Sequence, residues 1–309
     1  MKIVVTGGSG FIGSHLVKRL RKEGHAIVVI DKNAKQLEAA RFKSYTCDIR
    51  NVKEVRNILN NVEPDIIIHL AAKHNFIESV TKPDFYIKNN ITGTINILEH
   101  IKTSHKRVKF VLASSAGSIY KKGKMPFTES TITMPSSLYG ITKDFEEKLV
   151  RHYCDITGNT FQILRISNVY GPGQEVYKHP SVVPSMIRNL MLKKSVVIYG
   201  SGSQTRDFIY IDDVVEAFMR IIPTNKSLTI NVSSMIEISI KELYELLVSK
   251  LSKQKAAPPV VYMNLEKGVK RSWVSNKKMM KEFNWKPLVS LNDGLDRTVK
   301  HMRSVLNRK

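Results

Sequence analysis

Short apolar runs alternate with helix-like stretches through the first half of the chain. Ile3–Thr6 reads as a strand and Phe11–Glu23 as a helix, closed by Gly24 where a left-handed cap is wanted. Ala26–Ile30 is the next strand, followed by a helical segment near Ala34–Arg41, a short strand near Ser44–Cys47, a helix near Val52–Asn60 and a strand at Ile66–Leu70. A long helix around Pro83–Lys102, the strand Lys109–Ala113, the helix Ser137–Thr157 and the strand Phe161–Ile166 continue the alternation. Strands and helices of these sizes in strict alternation predict an α/β fold, a doubly wound parallel sheet covered on both faces. After Asn168 the texture changes. Gly171-Pro172-Gly173 breaks the chain, and shorter elements follow: a helix near Pro184–Leu192, a short element at Val196–Tyr199, a turn at Gly200-Ser201-Gly202, the helix Ile211–Ile222, the strand Ile230–Val232 and the helix Ile240–Lys250. These predict a second, smaller lobe, part of which returns to the large sheet.

Composition narrows the class. At 309 residues, 42% of them hydrophobic, the chain can bury a sizeable core and is not a disordered or low-complexity protein. Its longest apolar stretches, such as Ile66–Ile68 and Leu70–Ala72, fall far short of the ~20 residues that a membrane span needs. Lys2–Val5 already reads as a strand, which leaves no signal peptide ahead of the fold. Two cysteines, Cys47 and Cys154, without metal-ligand spacing around them, argue against a disulfide framework and make the reducing cytoplasm the default compartment. The net charge of +22 is unusual, and residues 250–309 alone carry 15 Lys/Arg against 4 Asp/Glu. Such a balance suits anionic partners, or a solvated basic surface with no particular partner. That basic tail contains Trp273 and Trp285 but no recognisable nucleic-acid motif, so no specific nucleic-acid partner is expected, and Trp285 reads as core.

The strongest local signal is Thr6-Gly7-Gly8-Ser9-Gly10-Phe11-Ile12-Gly13, placed directly between the first strand and the first helix. Gly7 permits a tight turn, Gly10 lets a pyrophosphate approach the backbone, and Gly13 allows close helix–strand packing; the helix N-terminus then offers free N–H groups to the phosphates. Asp31 closes the second strand, followed by Lys32. A carboxylate there accepts the ribose hydroxyls of NAD and repels the extra phosphate of NADP. Residues 1–168 therefore read as a Rossmann-type NAD-binding domain, rejoined by part of 207–235, and 169–309 mainly as a substrate-binding lobe.

The second signal is Tyr139-Gly140-Ile141-Thr142-Lys143. Positions four apart on a helix share a face, so phenol and ammonium point the same way. A phenol with a pKa near 10 is a poor base at neutral pH. A lysine within a few ångströms, together with the positive nicotinamide of an oxidised cofactor, favours the phenolate and makes Tyr139 a proton acceptor for a sugar or alcohol hydroxyl.

With these motifs in place the chain resembles the extended short-chain dehydrogenase/reductases, and within them the nucleotide-sugar epimerases of the UDP-glucose 4-epimerase type. The resemblance runs through Gly7–Gly13, Asp31, Asp48-Ile49-Arg50, His69-Leu70-Ala71-Ala72, Asn89-Asn90 with Gly93-Thr94, Ser114-Ser115 and the Tyr139/Lys143 pair. It continues through Leu164-Arg165, Asn168, Tyr170–Gly173, Tyr199-Gly200 and Gln204–Phe208 to Asn284-Trp285-Lys286-Pro287. It implies NAD as cofactor, with Phe11 and Ile12 at the phosphates, Asp31 at the ribose, Asp48 and Ile49 at the adenine, and Leu70, Ala71, Ala72, Lys73 and Asn89 lining the cofactor cleft. It gives Lys143 two roles, binding the nicotinamide ribose and lowering the tyrosine pKa. Asn168 and Arg206 would hold the nucleotide-sugar diphosphate, Arg206 through charge-assisted hydrogen bonds, with a salt bridge to Asp207 or Asp212 as the plain alternative. A homodimer built on the outer faces of the Pro83–Lys102 and Ser137–Thr157 helices is likewise implied.

The serine departs from the family pattern. Counting forward from Lys109–Ala113 selects Ser115 as the residue that bonds the reacting hydroxyl; counting back from Tyr120 reaches Ala116 and leaves Ser118, as though Gly117 were inserted. Ser115 is the first candidate and Ser118 the second, with a turn or helix cap as the plain alternative for either. Sugar dehydratases and decarboxylases of the family need a carboxylate just before that tyrosine, and Ala116-Gly117-Ser118-Ile119 supplies none. His69 and His74 read as cleft-lining residues and His100, His105 and His152 as surface, so no metal is expected. The resulting expectation is a UDP-hexose 4-epimerase, acting on glucose/galactose or the N-acetylated pair through a transient 4-keto sugar. A reductase or dehydratase of the same family, or a non-catalytic dinucleotide-sensing regulator, stands as the alternative. The size of the pocket near Ser272 and Trp273 decides whether an N-acetyl group fits.

Overall fold

Seven parallel strands form one sheet in a computed structural model of the chain, which describes residues 1–34, 42–121, 123–174, 181–251, 258–264 and 269–307. The first six strands follow in chain order: β1 (Lys2–Thr6), β2 (Ala26–Asp31), β3 (Lys43–Thr46), β4 (Ile66–His69), β5 (Lys109–Ser115) and β6 (Phe161–Ile166). β7 (Asn168–Tyr170), β8 (Val196–Tyr199) and β9 (Thr205–Tyr210) leave the sheet, and β10 (Leu228–Val232) returns to its edge beside β6. The spatial order is β10-β6-β5-β4-β1-β2-β3. Because β2 and β3 lie on one side of β1 while β4 to β6 lie on the other, the carboxyl ends of β1 and β4 flank the point where the winding reverses. That is where a doubly wound sheet leaves its binding crevice.

Alternation along the strands explains why both faces are covered. Ile3 and Val5 of β1, with Val29 and Ile68, join Leu16, Val17 and Leu20 of the first helix (Phe11–Lys22) in one core cluster. Val4 of β1, with Val28, Ile30 and Ile67, faces the other way onto Val55, Ile58 and Leu59 of the Val52–Val62 helix and onto Ile97, Leu98 and Ile101. Successive side chains point to opposite faces, and each such residue fully buried contributes about 1.5–3 kcal/mol. The helix expected near Ala34–Arg41 lies, from residue 35 on, outside the described residues.

The single helix expected over Pro83–Lys102 is broken in three. A short helix at Pro83–Tyr86 passes into a π-helical segment, Ile87–Thr92, before the α-helix Gly93–Thr103. The wider turn carries Asn89 and Asn90 inward, where both are buried. Asn90 Oδ1 accepts from the Lys73 N–H at 2.8 Å, and its Nδ2 donates to the Lys73 carbonyl and to Thr142 Oγ1, each at 3.0 Å. A wide turn of this kind commonly marks a functional site. His100, expected at the surface, is buried in this region, with Nδ1 3.0 Å from Asn60 Oδ1, whereas His105 and His152 are exposed.

The second lobe is built from two small sheets and the helices around them. β11 (Glu237–Ser239) pairs with β9 and β9 with β7, while β12 (Val260–Met263) pairs with β8. Trp285 is core: its indole N–H donates to the Asp213 carbonyl at 3.2 Å. The lobe meets the first domain through an isolated bridge between Phe127 and Val274, which closes a small cluster with Ala116, Ile119 and Tyr120. Among the described residues, no helix is long and apolar enough to cross a membrane, and no cluster of His, Cys, Asp and Glu could hold a metal ion.

A buried charge pair ties the two sides of the sheet's centre. Glu147, on the Leu138–Thr157 helix, receives Arg165 of β6 at 2.7 Å and the Ser114 hydroxyl of β5 at 2.6 Å. Arg165 also donates to the Tyr120 hydroxyl, which in turn donates to Asn231 of β10 at 3.2 Å. Removing one member of a buried pair strands the other charge. Glu147→Ala should therefore cost roughly 3–5 kcal/mol of stability, read as a lower midpoint in urea unfolding followed by circular dichroism. A loss under ~1 kcal/mol would show that water reaches Arg165.

Candidate active site

The glycine turn occupies the carboxyl end of β1. Gly7 sits in the left-handed region at φ +72° and donates its N–H to the Ile30 carbonyl at 2.9 Å; a Cβ there would lie 2.6 Å from the Ala71 nitrogen. Gly10 closes the turn by donating to the Gly7 carbonyl at 3.0 Å, and Gly13 is buried beneath it. Gly10 also caps the first helix without any side-chain acceptor, and no acid occupies that helix's first turn. The positive end of the helix is thus left uncompensated beside half-buried Phe11 and Ile12, which suits a pyrophosphate.

The neighbouring rim is fixed by hydrogen bonds. Asp31 Oδ2 accepts from the Ser9 N–H at 3.0 Å and Oδ1 from the Asn33 N–H at 2.8 Å, which anchors the carboxylate at the mouth of the turn. Lys32 is exposed next to it, within hydrogen-bonding reach of Lys73, and the Lys73 ammonium lies 5.3 Å over the Phe85 ring. Burial, then the Lys32 charge, lowers the Lys73 pKa. Asp48 receives Arg50 through both carboxylate oxygens, and this hydrogen bonding holds its pKa below the ordinary value. Ile49 is buried, its carbonyl accepting from Asn96 at 2.9 Å. Leu70, Ala71, Ala72 and Lys73 follow β4 as a half-buried strip, and Asn89 Nδ2 donates to Asn90 Oδ1 at 3.0 Å behind them. The arrangement fits a dinucleotide laid from Asp31 across the turn.

His69, expected in the cleft, is instead sealed. Its Nδ1 is 2.7 Å from Thr6 Oγ1 and its Nε2 is 3.0 Å from Thr94 Oγ1, bridging β1, β4 and the Gly93–Thr103 helix. Burial, and then the Lys143 charge, pushes its pKa down to about 3, so it stays neutral.

On the opposite side of the crevice the Leu138–Thr157 helix presents Tyr139. Ser137 caps that helix, accepting from the Gly140 N–H at 3.0 Å. Half-buried Tyr139 hydrogen-bonds Ser115, the last residue of β5, and the Ser115 hydroxyl donates to Ser118 Oγ at 3.1 Å. The three hydroxyls thus form one chain, and Ser118 reaches Tyr139 through Ser115. Lys143 lies one turn below, buried. The phenol's pKa is raised, not lowered: burial outweighs the lysine and serine, and Glu146 adds to the rise. For Lys143, burial works downward, but Glu146 and Tyr139 more than offset it, leaving the ammonium above its ordinary value. Sequence spacing placed the lysine correctly on the tyrosine's face but missed Glu146. The signal was present, since Lys143 and Glu146 are three apart on one helix face.

The residues expected to hold the substrate lie on and beside β7 and β9. Asn168 begins β7 and donates to the Asp207 carbonyl at 3.0 Å. A Cβ on Gly117 would stand 3.7 Å from the Asn168 amide and 3.9 Å from the Ser272 hydroxyl, ordinary contact distances, so these three residues lie together. Arg206, on β9, donates through Nη1 to the Thr205 and Val269 carbonyls at 2.7 and 2.9 Å and has no carboxylate partner among the described residues. Neither Asp207 nor Asp212 pairs with it: Asp207 takes Ser234 and Met235, and Asp212 faces Arg297. Lys121 is exposed, and Lys122 lies outside the described residues.

A glycine turn at the switch point, a carboxylate at its mouth and a serine–tyrosine–lysine group lie on a Rossmann-type α/β protein. Residues 3–233 match the model of the NAD dependent epimerase/dehydratase family. The chain belongs to that family, whose cofactor is NAD. It is 31% identical to the UDP-glucose 4-epimerase of Mycolicibacterium smegmatis, over 98% of this chain and 99% of that protein. It is 32% identical to the UDP-glucuronate 4-epimerase of Thermodesulfobacterium geofontis, over 96% and 94% respectively. A crystal structure of the Thermotoga maritima UDP-glucose 4-epimerase with UDP-glucose superposes with a TM-score of 0.93 at 31% identity, covering 99% of this chain and 100% of that one.

Gly140 sets the contact between the tyrosine helix and the serine turn. A Cβ there would press into the Ser118 carbonyl oxygen, closer than real Cβ atoms come, and 3.0 Å from Pro135. Gly140→Ala should push Tyr139 away from Ser115 and lower turnover ~100-fold, the scale of a 1 Å misplacement. Steady-state kinetics on folded protein checks this; unchanged turnover would mean that the helix slides without moving the phenol.

Proposed function

We propose that this chain is a UDP-hexose 4-epimerase. The observation that carries the reading is the hydrogen-bonded Ser118–Ser115–Tyr139 chain ending at the crevice, with Lys143 buried behind the phenol and no carboxylate in the Ala116–Ile119 turn. When bound, NAD supplies a reversible acceptor for the hydrogen on the sugar's C4. Tyr139 accepts the proton of the C4 hydroxyl and returns it to the same oxygen after the 4-keto sugar has turned over. Ser115 holds that oxygen in line with the phenol, and Ser118 fixes the Ser115 hydroxyl. Lys143 supplies positive charge beneath the phenol and donors for the nicotinamide ribose. Arg206, its charge matched by carbonyls rather than a carboxylate, is free to bind the diphosphate, with Asn168 beside it. Elimination chemistry would need a carboxylate at the sugar's C5 and C6 side. Glu146 cannot serve, because it is fully buried behind Lys143.

Small residues line the wall where the sugar turns: Gly117, and Ser272 opposite it. The N-acetylated pair therefore belongs among the substrates tested. Incubating the protein with UDP-glucose, UDP-galactose and their N-acetyl counterparts, followed by NMR of the sugar, tests the reading. Interconversion at C4 without net NADH supports it, and net NADH or an unchanged sugar in every case refutes it. Tyr139→Phe should lower turnover at least ~100-fold, the scale of lost general-base catalysis, while NAD remains bound.

The homodimer belongs to the same proposal. Ile141 and Phe145, one turn apart on the tyrosine helix, are about half exposed, as is Ile87 on the π-helical segment. A second copy related by a two-fold axis would cover such a patch. Sedimentation should give twice 35.1 kDa, and Phe145→Glu should give the single-chain mass. A monomer in the unmodified protein removes the homodimer from the reading.

A further inference from the structure

We infer that Glu146 is a positioning residue for the Tyr139–Lys143 pair: its carboxylate holds the Lys143 ammonium from behind and cancels its charge, keeping the phenol protonated until a second positive charge enters the crevice. The inference rests on the reading of Tyr139 as the base. The geometry is direct. Glu146 Oε2 accepts from Lys143 Nζ at 2.8 Å, both side chains are almost fully buried, and Glu146 Oε1 has no hydrogen-bond partner among the described residues. Only one of the three ammonium donors is spent on Glu146, which leaves two for the face toward the phenol and the ribose.

A buried pair of this kind is costly and gives no dependable gain in stability over apolar packing. Its position instead sets the field at one phenol. Lys143 alone would favour phenolate; Lys143 with an ionised Glu146 is nearly neutral as seen from Tyr139. Glu146 is accordingly among the groups that raise the phenol's pKa, after burial. Burial pushes Glu146 itself up to about 7, against the pull of Lys143. Glu147 raises the pKa of both Lys143 and Glu146, and Tyr86 faces the phenol. Glu147, next on the helix, is engaged by Arg165 and Ser114, and His69 from β4 stays neutral.

The sign follows. Removing the carboxylate leaves Lys143 uncancelled, so Tyr139 ionises at lower pH. Glu146 already acts on the phenol through space, and losing a nearby unit charge at an effective dielectric near 20 shifts a pKa by about one unit or more. Tyrosinate ultraviolet absorbance, titrated against pH on NAD-loaded protein with no sugar present, isolates this group by subtraction of the matching Tyr139→Phe protein. Glu146→Gln should lower the Tyr139 ionisation by about one pH unit or more. The acid limb of the turnover profile should move the same way. Glu146→Asp keeps the charge but withdraws it by one methylene, and it should give a smaller shift in the same direction. An unchanged Tyr139 ionisation in whichever of these variants folds overturns the inference. Because no sugar is present, that result is separate from the test of epimerisation: an active epimerase with an unmoved phenol sinks this inference alone.

Discussion

Burying two carboxylates and a lysine on one face of the Leu138–Thr157 helix is the constraint around which the centre of this protein is arranged. Lys143, Glu146 and Glu147 are all buried in an α/β protein whose sheet has no wet face. Charges there persist only when matched. Glu147 is matched across the sheet, by Arg165 of β6 and Ser114 of β5, which fixes the helix against the strand that ends in Ser115. Glu146 and Lys143 are matched within the helix. Once these pairs are satisfied, the helix has one allowed depth and rotation, and Tyr139 at its first turn meets Ser115. The close approach of Gly140 to Ser118 is the steric half of the same alignment. Site geometry here follows from core electrostatics.

Sequence carried the fold well because the signals were periodic. Val4 and Val5 point to opposite clusters, and the pattern of a strand buried on both faces reads directly from Ile3–Thr6. The glycine turn was equally legible, since its glycines answer to backbone conformation and their spacing is local. The π-helical segment was not: Ile87–Thr92 has ordinary helix composition, and its widening comes from Asn90 bonding Lys73 and Thr142, contacts 17 and 52 residues away. His69 and His100 went the same way. Nothing local shows that Thr6 and Thr94 converge on one imidazole, or that Asn60 reaches the other. The tyrosine's pKa also inverted the simple expectation. A lysine four residues on argues for a lowered value, yet the burial that brings the pair together acts against it, and a third charge on the same face adds to that.

The large positive charge of the chain is not what runs the site. Near Tyr139 the charges are balanced, Lys143 by Glu146 and Arg165 by Glu147. Among the described residues, Lys32 with Lys73 stands near Asp31 at one end of the crevice, and Arg206, without a carboxylate partner, at the other. A dinucleotide and a nucleotide sugar both carry diphosphates, so positive ends and a neutral middle match what such ligands bring.

That neutral middle bears on why a hydroxyl could be oxidised and restored at one site. A base that stayed ionised in the resting protein would hold its proton too weakly to give it back. Tyr139 is protonated by default, because burial and Glu146 outweigh Lys143 and Ser115. An oxidised nicotinamide adds positive charge nearby and shifts the balance toward phenolate; the reduced ring removes that charge and shifts it back. In the proposed epimerisation the proton affinity of the phenol would then follow the redox state of the cofactor, falling when the sugar hydroxyl must lose its proton and rising when the keto oxygen must regain it. A lysine without a matching carboxylate would hold the phenol nearer to ionisation in both states and weaken that alternation.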